Sequence, residues 1–295
     1  MKNKTVLITG ATNGIGKAIA ENLAENLASQ GAELIIIGRN ENKTKQVAKA
    51  LQTKTQTVHY YVADLSSQEH VRTVSKQIKQ DFKKLDVLIN NAGAWFTTYQ
   101  VSQDGIEMTW ALNHLNYFLL TNELMPLLQH AAETTGEARI INQSSSAHLE
   151  GQLHWDNLEF KGNWKEAGTG ITGKGWAVYC QSKLANVLHV FTLARQLEGT
   201  GIVANAIHPG VVVTGFSQNN GGIYKLAAPI RKLFNNTGAD VGAAPAIYLA
   251  SADEAGSISG TYFGPPQQQE AVNPLANDSA VQSRLWDISA AQVGL

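Results

Sequence analysis

Residues Thr5 to Gly16 read "TVLITGATNGIG", a short β-branched and apolar run that passes directly into glycines at positions 10, 14 and 16. This is the pattern of a buried strand turning into a helix. Glycines at such a turn let the backbone approach a pyrophosphate, and the first helical turn offers free N–H groups to its negative charge. Gly10, Thr12, Asn13, Gly14, Ile15 and Gly16 are therefore the candidate phosphate cradle. The spacing is G-x-x-x-G-x-G instead of G-x-G-x-x-G, and an isolated cluster of this kind serves equally well as a plain tight turn.

Outward from that turn the same alternation continues. Further short runs, "LIII" from Leu34, "TVHYYV" from Thr57, "VLI" from Val87, "RIIN" from Arg139 and "IVANAIH" from Ile202, are separated by helical patterns. Strands that are apolar on both faces and alternate with helices predict an α/β fold whose parallel sheet is covered on both sides. No linker or low-complexity tract divides the chain, so residues 1–263 read as one domain. The glycine- and tryptophan-rich stretch 149–175 reads as a long excursion above the sheet, and 264–295 as a loop and short helix packed on the same domain. The tandem "ENLAENLA" of residues 21–28 adds one turn to the C-terminal end of the first helix, away from the cradle.

Of 295 residues, 43% are hydrophobic, enough for a large core, and the formal net charge is −1. Charges are scattered, which argues against nucleic acid or an anionic membrane as partner. No apolar run approaches the ~18 residues of a membrane span. A lone cysteine, Cys180, fits a reducing compartment, with the cytoplasm expected. The eight histidines show no metal-ligand spacing, so no metal is expected.

Tyr179 and Lys183 stand four apart on a predicted helix, on one face, and of the eight tyrosines only Tyr179 has a lysine at that spacing. A carbonyl that accepts hydride develops negative charge on oxygen and needs a proton donor. An ammonium about 5 Å away stabilises a phenolate by roughly 3 kcal/mol at an effective dielectric near 20, about two pKa units. The tyrosine–lysine pair alone is weak, since the two meet on ordinary helices.

Four further motifs fall in order with it: "NNAG" from Asn90, "NHL" from Asn113, "SSS" from Ser144 and "HPG" from His208. Together with "TGATNGIG" and "YCQSK" they resemble the short-chain dehydrogenase/reductase family. "ALNHLNYFLLTN", "SKLANVL" and "RLWDIS" look most like its branch containing retinol dehydrogenases and the WW-domain oxidoreductase. The resemblance covers nearly the whole chain. It implies a doubly wound Rossmann sheet of about seven mostly parallel strands in the order 3-2-1-4-5-6-7.

The resemblance also implies roles. Tyr179 is the general acid/base, Lys183 tunes it, Ser145 binds the substrate oxygen with Ser144 as competitor, and Asn113 supports a proton relay. Asp64 and Leu65 meet the adenine, Asn91, Ala92 and Gly93 line its ribose, and Pro209, Gly210, Val212 and Thr214 hold the nicotinamide end. Asn116 and Gln143 depart from the branch, which usually has glycine and an apolar residue there.

After the second strand of such a fold an acid binds the ribose of NAD, whereas an arginine accommodates the 2′-phosphate of NADP. Here Gly38 takes the acid's place and Arg39 follows, so NADP(H) is expected over NAD(H). The function expected is interconversion of a small apolar carbonyl compound and its alcohol. A non-catalytic NADP(H)-binding redox sensor and a reductase of an activated C=C bond are the rivals. Oligomeric state stays open between a monomer and a homodimer paired through the helices carrying Asn113 and Tyr179.

Overall fold

A computed structural model describes residues 3–27, 31–54, 57–162, 164, 173–210 and 238–295. Eight strands form one sheet in the order β3-β2-β1-β4-β5-β6-β7-β8. They are β1 (Thr5–Thr9), β2 (Glu33–Gly38), β3 (Thr57–Val62), β4 (Val87–Asn90), β5 (Ala138–Gln143), β6 (Ile202–Ile207), β7 (Thr261–Gly264) and β8 (Gln268–Gln269). All pairs are parallel except β7 with β8, an antiparallel return of two residues beyond the expected seven strands.

Alternation along the strands divides the core in two, because successive side chains leave a strand on opposite faces. Leu7, Ile35 and Ile37 face α3 (Gln68–Asp81), α4 (Met108–Thr135) and α5 (Lys174–Gln196). Val6, Ile8, Leu34 and Ile36 face α1 (Gly14–Leu27), α2 (Glu41–Leu51) and α6 (Ala239–Ser251). In α1, Ile19 and Leu23 are buried, and the helix carries the first copy and most of the second copy of the duplicated turn; Ala28 lies outside the described residues. Neighbouring β1 and β4 run to helices on opposite faces, so the chain opens a crevice at their carboxyl ends, where ligands of open α/β sheets bind.

The rod labelled α4 begins at Met108–Trp110, passes through a π-helical turn at Ala111–Leu115 and continues as Asn116–Thr135. Glu107 caps its start, accepting the Trp110 N–H at 2.7 Å, yet is itself fully buried. Burial pushes the Glu107 carboxyl up to about 7, and the Glu159 carboxylate adds to the shift. The folded state therefore holds a proton that the unfolded chain releases near its ordinary 4.5, so this group destabilises the fold as pH rises through that window. Glu107→Gln keeps the cap without the charge. Denaturation midpoints of the two proteins are expected to coincide below pH ~4.5 and to separate by pH ~8, with glutamine ahead by on the order of 3 kcal/mol. An equal gap at both pH values would assign the effect to packing.

The C-terminal helix α7 (Ser279–Val293) is four turns long and lies along α4 and α5. Trp286 meets Phe118 and His189 at ring-centroid distances of 4.8 and 5.9 Å, and Arg195 donates to Gln282. Among the described residues no helix is long and apolar enough to cross a membrane.

Candidate active site

At the end of β1, Gly10 turns the chain with φ of 68°, and a Cβ there would stand 2.9 Å from the Ala92 backbone. A Cβ at Gly16 would stand 2.5 Å from the Gly10 carbonyl and 2.3 Å from Asn91 Nδ2. Thr9 fastens the two strand ends together: its hydroxyl accepts from the Asn91 and Ala92 N–H groups at 2.9 and 3.0 Å, and its carbonyl from Asn91 Nδ2 at 2.8 Å. Asn13 Oδ1 takes the Gly14 N–H, and the first turn of α1, starting with Gly14 and Ile15, carries no acid. With Thr12, this cradle of bare backbone at a helix start fits a pyrophosphate and would be filled by any side chain.

The end of β2 discriminates further. A Cβ on Gly38 would lie 2.3 Å from Thr44 Oγ1 and 2.6 Å from Thr12 Cγ2, so any side chain there would have to displace both threonines. Arg39 is exposed at the turn and has no ion pair among the described residues. After β3, Asp64 Oδ1 accepts from the N–H and hydroxyl of Ser66, while Leu65 is buried. Val212 and Thr214 lie outside the described residues; Pro209 and Gly210 precede them, with the Gly210 N–H on His208 Nδ1 at 3.1 Å.

Beside the Asn91–Gly93 turn that packs on the cradle, Tyr179, Lys183, Ser145 and Asn113 come together from α5, the end of β5 and the π turn. Ser144 and Ser145 diverge. The Ser144 hydroxyl is committed to the Lys183 carbonyl at 2.7 Å, whereas the Ser145 side chain hydrogen-bonds Tyr179. Lys183, only 2% exposed, donates from Nζ to the Gln143 carbonyl at 2.9 Å and lies 5.8 and 5.7 Å from the ring centroids of Tyr179 and Tyr117. A Cβ on Gly93 would stand 3.0 Å from Asn113 Oδ1 and 3.5 Å from Lys183 Nζ, so this glycine lies directly beside both side chains. Asn113 spans Ala94, accepting its N–H and donating to its carbonyl, both at 2.9 Å, and also donates to Ser182 Oγ.

The electrostatics differ from the expectation that Lys183 lowers the phenol. Burial dominates and raises the Tyr179 pKa, and Ser145 is the group that pulls it back. Lys183 is itself pushed down to about 7 by burial, because one carbonyl and two ring faces replace the water around its ammonium. At neutral pH the phenol is therefore a held proton, the form that donates.

Other expectations about the surroundings resolve by position. Trp176 meets Tyr179 and Trp95 at 5.4 and 5.5 Å and walls the site. Trp155 instead lies under the Arg284 guanidinium, and Trp164 packs on Tyr99 and donates to the Phe160 carbonyl. Cys180 is buried in the cluster that holds Trp95, Ala147 and Tyr179, and burial pushes its thiol up to about 12.

Two supports of the site have no local signal in the sequence. His148 Nδ1 lies 2.8 Å from the Ser145 carbonyl, which can only accept, so the proton is on Nδ1 and Nε2 accepts the Asn273 N–H at 3.3 Å. Asn273 Nδ2 in turn donates to the carbonyls of His148, Leu149 and Gly151 at 3.0–3.2 Å. The tail thus clamps the turn that presents Ser145.

The chain matches the family described as short chain dehydrogenase over residues 4–157. It is 38% identical to human (Homo sapiens) retinol dehydrogenase 13, covering 99% of this chain and 85% of that protein, and 35% identical to human retinol dehydrogenase 14, covering 100% and 88%. Among solved structures it is similar to an uncharacterized protein from Mycobacterium paratuberculosis, with 30% identity, a TM-score of 0.74 and coverage of 99% and 94%. It is also similar to Pseudomonas aeruginosa RhlG in its NADP active-site complex, with 26% identity, a TM-score of 0.68 and coverage of 90% and 95%. On its strand order, its glycine cradle and these matches, the chain belongs to the short-chain dehydrogenase/reductase family, an oxidoreductase family.

Proposed function

We propose that the protein interconverts small apolar carbonyl compounds and their alcohols with NADP(H) in preference to NAD(H), and that Tyr179 is the proton donor in the reducing direction. The observation that carries this is the convergence of the Tyr179 phenol, the Ser145 hydroxyl and Lys183 Nζ beside the Asn91–Gly93 turn that packs on the glycine cradle. Gly10, Gly14 and Gly16 would hold the pyrophosphate, Arg39 the 2′-phosphate, Asp64 and Leu65 the adenine, Asn91 to Gly93 the ribose, and Pro209, Gly210, Val212 and Thr214 the nicotinamide end. NADPH supplies the hydride when bound.

The chain's own residues do the rest. Ser145 donates to the carbonyl oxygen and orients it toward Tyr179, whose O–H supplies the proton. Lys183, in its charged form, favours the phenolate that remains. Asn113 fixes the strand end at Ala94 beside the lysine and supports the relay that returns the proton. Trp95 and Trp176 offer an apolar wall, which suits the retinol dehydrogenases as relatives. A single cysteine suits the cytoplasm as its location.

NADPH consumption across a panel of aldehydes, ketones and activated alkenes tests this. Turnover is expected on apolar aldehydes and ketones. NADPH binding with no turnover on any compound would favour the redox-sensing role, and turnover confined to the alkenes would favour C=C reduction.

A further inference from the structure

Two side chains meet across a strand that separates them. His208 follows β6 and Glu270 follows β8, with β7 between them in the sheet. Both backbones are pinned to that strand, the His208 N–H on the Phe263 carbonyl and the Glu270 N–H on the Tyr262 carbonyl, each at 2.9 Å. Their side chains close over it, with His208 Nε2 3.0 Å from Glu270 Oε2. A Cβ on Gly264 would collide with both His208 Nε2 and Glu270 Oε1, so the pair takes the room that a side chain on β7 would fill.

The second ring nitrogen settles where the proton of the pair lies. His208 Nδ1 accepts the backbone N–H of Gly210 at 3.1 Å, which requires a lone pair on Nδ1. The ring proton is then on Nε2 and is donated to Glu270, the arrangement in which a carboxylate fixes the tautomer of an imidazole whose other nitrogen does the binding. With Nδ1 protonated instead, two donors would face each other and Gly210 would lose its tie. His208 is buried and stacks on Tyr262, with ring centroids 5.2 Å apart and planes 15° apart, so the plane of the imidazole is held as well. A Cβ on Gly210 would stand 3.3 Å from Pro265, which places this turn against the segment that leads to Glu270.

We propose that Glu270 is a positioning residue for cofactor binding: it holds His208 as the Nε2–H tautomer, and His208 in turn fixes the Gly210 turn at the nicotinamide end. The inference rests on the reading of Pro209 and Gly210 as that end. Glu270 acts through the imidazole and comes from the segment that follows the last parallel strand. Tyr262 carries the arrangement further, because its other ring neighbour is His148, at 4.4 Å, whose Nδ1 holds the Ser145 carbonyl. One β7 side chain thus lies between the support of the serine turn and the support of the Gly210 turn.

The test uses the full chain. With ¹⁵N-labelled histidine and no cofactor, long-range proton–nitrogen correlations are expected to show His208 as Nε2–H at neutral pH, and the Nδ1–H form gaining in Glu270→Leu. Fluorescence titration is expected to show the NADPH Kd rising about tenfold in Glu270→Leu, the scale of one lost neutral hydrogen bond, with the single-turnover rate at saturating NADPH changed by less than about twofold. In His208→Asn, Oδ1 takes the branch position of Nδ1 and accepts from the N–H two residues on without help from a carboxylate. That variant is expected to bind NADPH within about twofold of the unmodified chain, and adding Glu270→Leu to it is expected to change nothing further. An Nδ1–H tautomer in the unmodified chain would overturn the proposal even where a variant fails to fold. An equal loss on Glu270→Leu in both backgrounds would overturn it by assigning Glu270 to packing, and an NADPH affinity unmoved by Glu270→Leu would remove the positioning role alone. An unmodified chain that binds no NADPH would overturn the cofactor reading and this role together.

Discussion

Replacing Tyr179 with phenylalanine is expected to lower kcat for carbonyl reduction by at least about a hundredfold, the scale of general acid catalysis, with NADPH affinity changed by no more than about twofold. The substitution removes one oxygen and leaves the ring in its cluster with Trp95, Ala147, Cys180 and Trp176, so the fold loses little. It also removes the partner of the Ser145 side chain and the donor to the substrate oxygen. Stopped-flow single turnovers with saturating NADPH measure the chemical step, and fluorescence titration measures binding. A variant that keeps its single-turnover rate removes Tyr179 from the mechanism. The pH dependence of the unmodified protein is a companion check. Lys183 is charged below its folded pKa of about 7, and reduction is expected to decline as pH rises through that value or somewhat above it, because a polyanionic cofactor raises a neighbouring ammonium.

Arg39→Asp is expected to cut kcat/KM for NADPH on the order of a hundredfold and to raise it for NADH. A hydrogen bond to a charged group contributes about 1.5–3 kcal/mol, and a carboxylate at the same turn adds repulsion against a phosphate. Gly38→Asp is not an equivalent route, because Thr44 and Thr12 occupy the space its Cβ requires. Steady-state kinetics with both cofactors decide the point. Comparable kcat/KM for the two in the unmodified protein, or an unchanged ratio in the variant, would separate Arg39 from cofactor choice.

Much of this architecture is local and therefore readable in one dimension. The observed β1, β2, β4, β5 and β6 each lie within a residue of an apolar run, because strands buried on both faces must be apolar throughout. Tyr179 and Lys183 are one helical turn apart, so their proximity follows from the period of the helix alone. Choosing between Ser144 and Ser145 needed a resemblance, since adjacent serines differ only in which neighbour each faces. What stayed hidden depends on residues far apart in sequence. His148 and Asn273 are 125 positions apart, and nothing in either's surroundings reports that they meet. The site tryptophan is local by contrast: Trp176 precedes Tyr179 by three residues on α5, so their contact follows from the helix period, while Trp155 and Trp164 pack elsewhere. The desolvation that reversed the expected shift of Tyr179 is a property of the assembled core.

The Asn273 clamp gives the chain an order of maturation. The cradle's glycines emerge first during synthesis, then the tyrosine and lysine, and the parallel sheet is complete at Gly264. The side chain that gathers three carbonyls around the Ser145 turn arrives after all of them. All the reacting groups and parallel strands precede it in the chain, and without it the carbonyls of His148, Leu149 and Gly151 lose their shared donor. The segment after the sheet is thus part of the site's scaffold, since the serine's turn is held by a residue that follows the last parallel strand.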